Sequence, residues 1–144
     1  RTAPDFDLED NKGGRFVLSK QRGKPVVIAF WASWCGPCQD ELPELVRLAK
    51  RYPKVKFIAV NVDRNSSSGR RFMERLKLKM PVAFDPQNKA LAQYDVASMP
   101  TSYIVDRKGT VKFRKVGYSK RDGLTQLRNA LEAMRRVQKR PIRK

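Results

Sequence analysis

Two cysteines and no histidine occur among the 144 residues. That scarcity removes most metal chemistry, because a four-ligand nitrogen–sulfur zinc site cannot be assembled within one chain; only a site shared between two chains stays open. No apolar run approaches the roughly 20 residues that a membrane span needs, so this stretch is expected to be soluble. No leader segment is visible, and the opening Arg1-Thr2-Ala3-Pro4 fits a processed or trimmed N-terminus. Acidic residues are scarce as well. Fourteen Asp and Glu stand against 32 Lys and Arg, leaving a formal charge of +18. Such a field attracts acidic proteins or anionic membrane surfaces. The cations are scattered without a recognition module, so no specific nucleic-acid partner is expected. The length fits one domain with a core that needs no cross-links.

The two thiols lie three residues apart, in Trp34-Cys35-Gly36-Pro37-Cys38. The preceding Pro25–Trp31 is nearly all apolar and reads as a buried central strand. The following segment to Tyr52 has helical periodicity, with Cys38, Leu42, Leu45, Leu48 and Ala49 on one stripe, and Pro43 inside it should kink the helix. The pair therefore sits at a helix N-terminus, where unpaired N–H groups and the helix dipole favour a thiolate. Cys35 should be the more exposed thiol and the nucleophile, with Cys38 shielded one turn later. The chemistry implied is thiol–disulfide exchange. Whether the lone pair suits an oxidising compartment is left open by its count, although stray thiols are absent.

Around this motif, residues 5–19 read as a β-hairpin across Glu9–Gly14. Val55–Val62 is a second buried strand, Asp63–Gly69 a polar loop, and Arg70–Leu78 an amphipathic helix. Pro81–Phe84 and Lys89–Tyr94 read as a short strand and a short helix. Thr101–Val105 and Val111–Val116 form a hairpin. Ser119 with Asp122 resembles a capping box opening a last helix that buries Leu124, Leu127, Leu131 and Met134. The pattern predicts an α/β class: a mixed central sheet flanked by helices, in a single domain over 1–137. Residues 138–144 form a basic tail; six of the last ten residues are Lys or Arg.

Phe30–Cys38 resembles the active-site segment of the thioredoxin family, and Met99-Pro100-Thr101 resembles its cis-proline loop. Pro43 and Gly117 also match that family, Gly117 as the glycine that helps floor the groove. The resemblance spans roughly residues 4–137 and implies the thioredoxin fold. An N-terminal β-hairpin extension over 1–20, an inserted helix near 68–78, and Glu41 are together similar to the TlpA/ResA type. That likeness implies an extracytoplasmic thiol–disulfide oxidoreductase, periplasmic or on the outer face of the cytoplasmic membrane. Its signal or anchor would lie outside this sequence. It further implies a membrane thiol electron donor and disulfide-containing substrates such as apocytochrome c or copper-site proteins, hence a role in cytochrome c maturation. A monomer is expected, with no cofactor beyond the redox-active disulfide. Where cytoplasmic thioredoxins place a buried aspartate, this chain has Ala29, so the proton-handling group comes from elsewhere or is absent. The resemblance to the ResA type makes Glu41 the candidate, against the alternative of a surface carboxylate that is solvated or paired with Lys and Arg. Spacing supports that candidate independently: Glu41 borders the buried stripe, and partial burial raises a carboxyl pKa. The resemblance also makes Met99 and Pro100 the strand-like docking edge for an extended substrate, with Trp34, Gly36 and Pro37 beside them. Gly-Pro between the cysteines resembles reductants rather than strong oxidants.

Other readings remain open at this level. The chain could donate disulfides, or act as a redox-inert adaptor that binds acidic partners through its charge. A purely structural disulfide is disfavoured, because closing so short a loop constrains the unfolded chain little. Peroxide reduction would call for a lone peroxidatic cysteine in a Pro/Thr-rich loop, which is absent.

Overall fold

The computed structural model describes residues 1–138; the basic tail expected from residue 138 onward lies outside the described residues, except Gln138, which closes the last helix. Val26–Trp31 (β3) is the centre of a five-stranded sheet. All six of its side chains are buried, as expected for a Val/Ile-rich strand covered on both faces. β3 runs parallel to Lys56–Asn61 (β4), and β4 runs parallel to Val82–Phe84 (β5). On the other side β3 is antiparallel to Thr101–Val105 (β6), which pairs antiparallel with Val111–Val116 (β7). The sheet order is β5-β4-β3-β6-β7. This is the mixed, helix-flanked sheet of the thioredoxin fold.

The N-terminal hairpin is present as Asp7–Glu9 (β1) and Arg15–Val17 (β2). It is tied to the core by aromatic packing: Phe6 stacks on Phe16 and meets Tyr94 edge-on. The Tyr94 hydroxyl donates to the Pro4 carbonyl at 2.6 Å.

Gly36–Arg51 forms α1, with Pro37 in its first turn and Lys50 and Arg51 in its last, matching the preferences of helix ends. The helix continues through Pro43 as one element. Two expected boundaries move. Ser66–Arg75 (α2) begins four residues earlier than the sequence pattern indicates and ends three earlier, because Asn65 caps it by accepting from the Ser67 amide at 3.1 Å. A short helix, Lys89–Gln93 (α3), follows β5. The Ser119/Asp122 pair does not open the last helix. Its bond, Asp122 N–H to Ser119 Oγ at 3.3 Å, closes a separate turn. Gly123, at φ +55°, interrupts the helical path, and Thr125–Gln138 (α4) starts only afterwards. Leu124 is buried ahead of the helix, with its amide donating to Glu44 Oε2 at 3.0 Å.

Candidate active site

The cysteines are joined as a disulfide, Cys35–Cys38. Cys35 is the N-cap of α1, and its Sγ accepts from the Cys38 amide at 3.3 Å. This backbone N–H and the N-terminal dipole both favour negative charge on the Cys35 sulfur once the bond opens. Cys38 has no exposure and Cys35 only 4%. The expected order holds, but Cys35 is far less open than its place in the sequence suggests. It lies in a cleft of about 770 Å³ whose walls come from remote segments: Asp63–Asn65 and Ser68 after β4, Leu91 of α3, and Val96–Met99. Trp34, Gly36 and Pro37 also line this cleft, and Trp34 stands 70% exposed at its mouth. Trp31, by contrast, is fully buried against Phe72 of α2, with ring centroids 5.1 Å apart.

Met99 lines the same cleft, half-buried, and the Met99–Pro100 peptide is cis. Pro100 itself is buried behind the wall. Its carbonyl accepts from the Gly117 amide at 2.8 Å. Gly117, at φ +87°, adopts a backbone conformation that side chains disfavour. It supports the proline loop and is not itself among the residues lining the cleft.

Glu41 lies one turn after Cys38 on the inner face of α1 and is only 3% exposed. Its Oε1 finds no hydrogen-bond partner among the described residues. Burial pushes its carboxyl up from 4.5 to about 7, Lys115 of β7 opposes that rise, and Glu44 adds to it. Glu44 is fixed by the Tyr118 hydroxyl at 2.5 Å and by the Leu124 amide. Ala29, on the neighbouring strand, is buried and paired with Ala59 and Ser102.

Sequence reasoning missed Asp63. It is buried and accepts from the Ser33 amide at 3.0 Å, the Ser33 hydroxyl at 2.9 Å and Asn61 Nδ2 at 2.8 Å. It thus clamps the loop that delivers Trp34 and Cys35. The parallel register Trp31↔Asn61 brings the two together, a pairing that no local pattern reveals. Asn61 in turn is packed under α2. A Cβ at Gly69 would come within 2.6 Å of its side chain. Gly69→Ala should therefore lower stability by up to about 2 kcal/mol in urea unfolding, since an overpacking cost of about 1–3 kcal/mol is set against a helix-propensity gain of about 1 kcal/mol. A more stable variant would mean that Asn61 moves freely.

Among the described residues no group of three or more His, Cys, Asp or Glu stands together as a metal site.

A family model described as AhpC/TSA matches residues 1–114. The chain belongs to the AhpC/TSA family. Within this family it is a thioredoxin-like protein of the ResA type. It is 42% identical over 113 residues to the thiol-disulfide oxidoreductase ResA of Geobacillus kaustophilus, covering 77% of this chain and 65% of that protein. The AhpC/TSA chain thus spans a little under two-thirds of the length of that relative. Among solved structures, the thiol:disulfide interchange protein DsbE of Chlorobium tepidum superposes with a TM-score of 0.86 at 34% identity, covering 92% of this chain and 94% of that one. The exposed lipoprotein thioredoxin Etrx1 of Streptococcus pneumoniae gives 0.77 at 29% identity, covering 90% and 99%.

Proposed function

We propose that this chain is a thiol–disulfide oxidoreductase that reduces disulfides of specific proteins outside the cytoplasm. The observation that carries this reading is the Cys35–Cys38 disulfide, set at a helix N-terminus and opening on a cleft. In the reduced state the Cys35 thiolate attacks one sulfur of a partner disulfide, and the other partner sulfur leaves as a thiolate. Cys38 loses its proton and attacks Cys35 Sγ, which expels the second partner sulfur and re-forms the disulfide. Two electrons pass to the partner, and the two thiolates take up protons. Glu41 receives the Cys38 proton. Trp34, Gly36, Pro37 and Met99 contact the substrate, with Pro100 and Gly117 holding the Met99 edge in place.

Apocytochrome c or copper-site proteins are the substrates that the ResA likeness favours, and a membrane thiol donor restores the dithiol. The domain acts as a monomer over residues 1–137, with no cofactor beyond its own sulfurs. No described helix is long and apolar enough to cross a membrane. The extracytoplasmic placement rests on the likeness to proteins such as the exposed lipoprotein Etrx1.

The deciding experiment is the equilibrium reduction potential of Cys35/Cys38, titrated against dithiothreitol or glutathione. A value near the thioredoxin figure of about −270 mV is expected for a reductant. A value near the roughly −120 mV of a strong oxidant would reverse the direction of electron flow. An absence of exchange would leave a binding module.

A further inference from the structure

At the dithiol end, Lys120 lies 3.6 Å from Asp40 and the half-buried Arg70 lies 3.0 Å from Glu9, while Arg64 lines the cleft. The opposite end of the sheet is different. There β3 and β4 begin and β6 ends, with Val26 aligned to Lys56 and to Val105. The Gly23 amide binds the Arg107 carbonyl, and the Lys56 amide binds that of Pro25. These links gather Arg22, Lys24, Arg51, Lys54, Arg107 and Lys108, all exposed, onto one face. α1 ends there, and so does α4, with Arg135 and Arg136 in its last turn.

Among the described residues, Asp106 and Glu132 lie at this end, and both are engaged; Asp10 is near enough to Lys56 to feel its charge and accepts from the Lys12 and Gly14 amides. Asp106 accepts from the Lys108 and Thr110 amides and lies 4.0 Å from Lys112. Glu132 accepts from the Tyr52 hydroxyl and lies 3.6 Å from Arg135. Between the cations opens a recess of about 420 Å³. Its apolar lining comes from Pro25, Tyr52, Pro53, Val55, Leu131 and Met134, and its remaining lining residues are Arg51, Lys54 and Arg135.

We propose that this basic end is a docking surface for an anionic phospholipid bilayer. A bilayer presents phosphates in one plane with apolar depth just beneath, and this end presents cations around an apolar recess. Each Lys or Arg brought within a Debye length of such a surface adds to its attraction. A nucleic acid would satisfy the cations but leave the recess unused. The inference does not depend on the redox reading. The length of β3 puts the dithiol roughly 20 Å from this surface, so the cleft faces away from the lipid.

The test is co-sedimentation of the whole chain with vesicles at physiological ionic strength. Phosphatidylcholine vesicles containing phosphatidylglycerol should retain it, and phosphatidylcholine alone should not. The triple variant Lys24→Glu, Lys54→Glu, Lys108→Glu should lose at least about tenfold in affinity. A control triple, Arg71→Glu, Lys89→Glu, Arg121→Glu, changes net charge equally at exposed sites away from this end and should lose much less. Equal losses in the two triples would overturn the proposal, leaving net charge alone as the cause. Failure to bind phosphatidylglycerol vesicles would also overturn it, as would pole-dependent binding to duplex DNA or polyglutamate in their place.

Discussion

Cys35→Ser is expected to reduce insulin disulfides no faster than dithiothreitol alone, while Cys38→Ser accumulates covalent complexes with its partners. Cys35 is the only one of the two sulfurs with any exposure, and it alone lines the cleft. It also receives the Cys38 amide at the head of α1. Without its sulfur no mixed disulfide forms. Cys38 is fully enclosed, so its serine variant still permits the first attack and blocks only the resolving one. Non-reducing gels of Cys38→Ser mixed with a disulfide substrate should show a higher-mass band that thiol treatment removes. Wild-type turnover in that variant would mean that the roles of the two sulfurs are assigned wrongly.

Glu41→Gln should abolish a pH dependence that the wild type shows in both stability and rate. In the unfolded chain this carboxyl ionises near its ordinary 4.5, whereas in the fold it holds its proton to about 7. Between those values the folded state binds the extra proton. The stability that this group contributes is therefore fully present below pH 4.5 and is lost as pH rises to about 7, by about 3 kcal/mol in total. Urea unfolding of the oxidised protein across that window should show the decline, and Glu41→Gln should remove this component. Exchange by the variant near neutral pH should slow by about a hundredfold, with the wild-type inflection near pH 7 lost. An unchanged pH–rate profile would sink the proton-transfer role and leave Glu41 as a buried acid without function. Lys115 works against the elevation, so its removal should move the inflection to higher pH.

The sequence was most legible where one face or both faces of an element are buried. Val26–Trp31 carries six buried side chains in a row, and β7 alternates half-buried and exposed positions from Val111 to Val116. The first stands out from composition; in the second, apolar and polar residues alternate with burial only to Arg114, after which Lys115 is half-buried and Val116 exposed. The position of Glu41 on the α1 stripe was readable for the same reason, although its burial proved nearly complete. What local pattern could not supply were contacts between distant segments. Asp63 meets Ser33 only through the β3–β4 register, and Lys115 comes near Glu41 only once β7 is in place. The cleft in which Cys35 lies has the same origin, since residues 63–65, 68 and 96–99 form its walls. The early start of α2 was masked by three serines and a glycine, which read as loop until Asn65 is seen to cap them.

The order of the sheet also governs how the chain must be handled as it is made. β3 is flanked by β4 and β6, yet its second partner begins only at Thr101. Thr101 lies 70 positions beyond Trp31, the end of β3, a stretch that at ordinary synthesis rates takes roughly 4 to 14 s. Throughout that interval a Val/Ile-rich strand has an open hydrogen-bonding edge, the feature most prone to pairing with a neighbouring chain. The strand that supports the dithiol is therefore the segment for which a nascent-chain chaperone has most use.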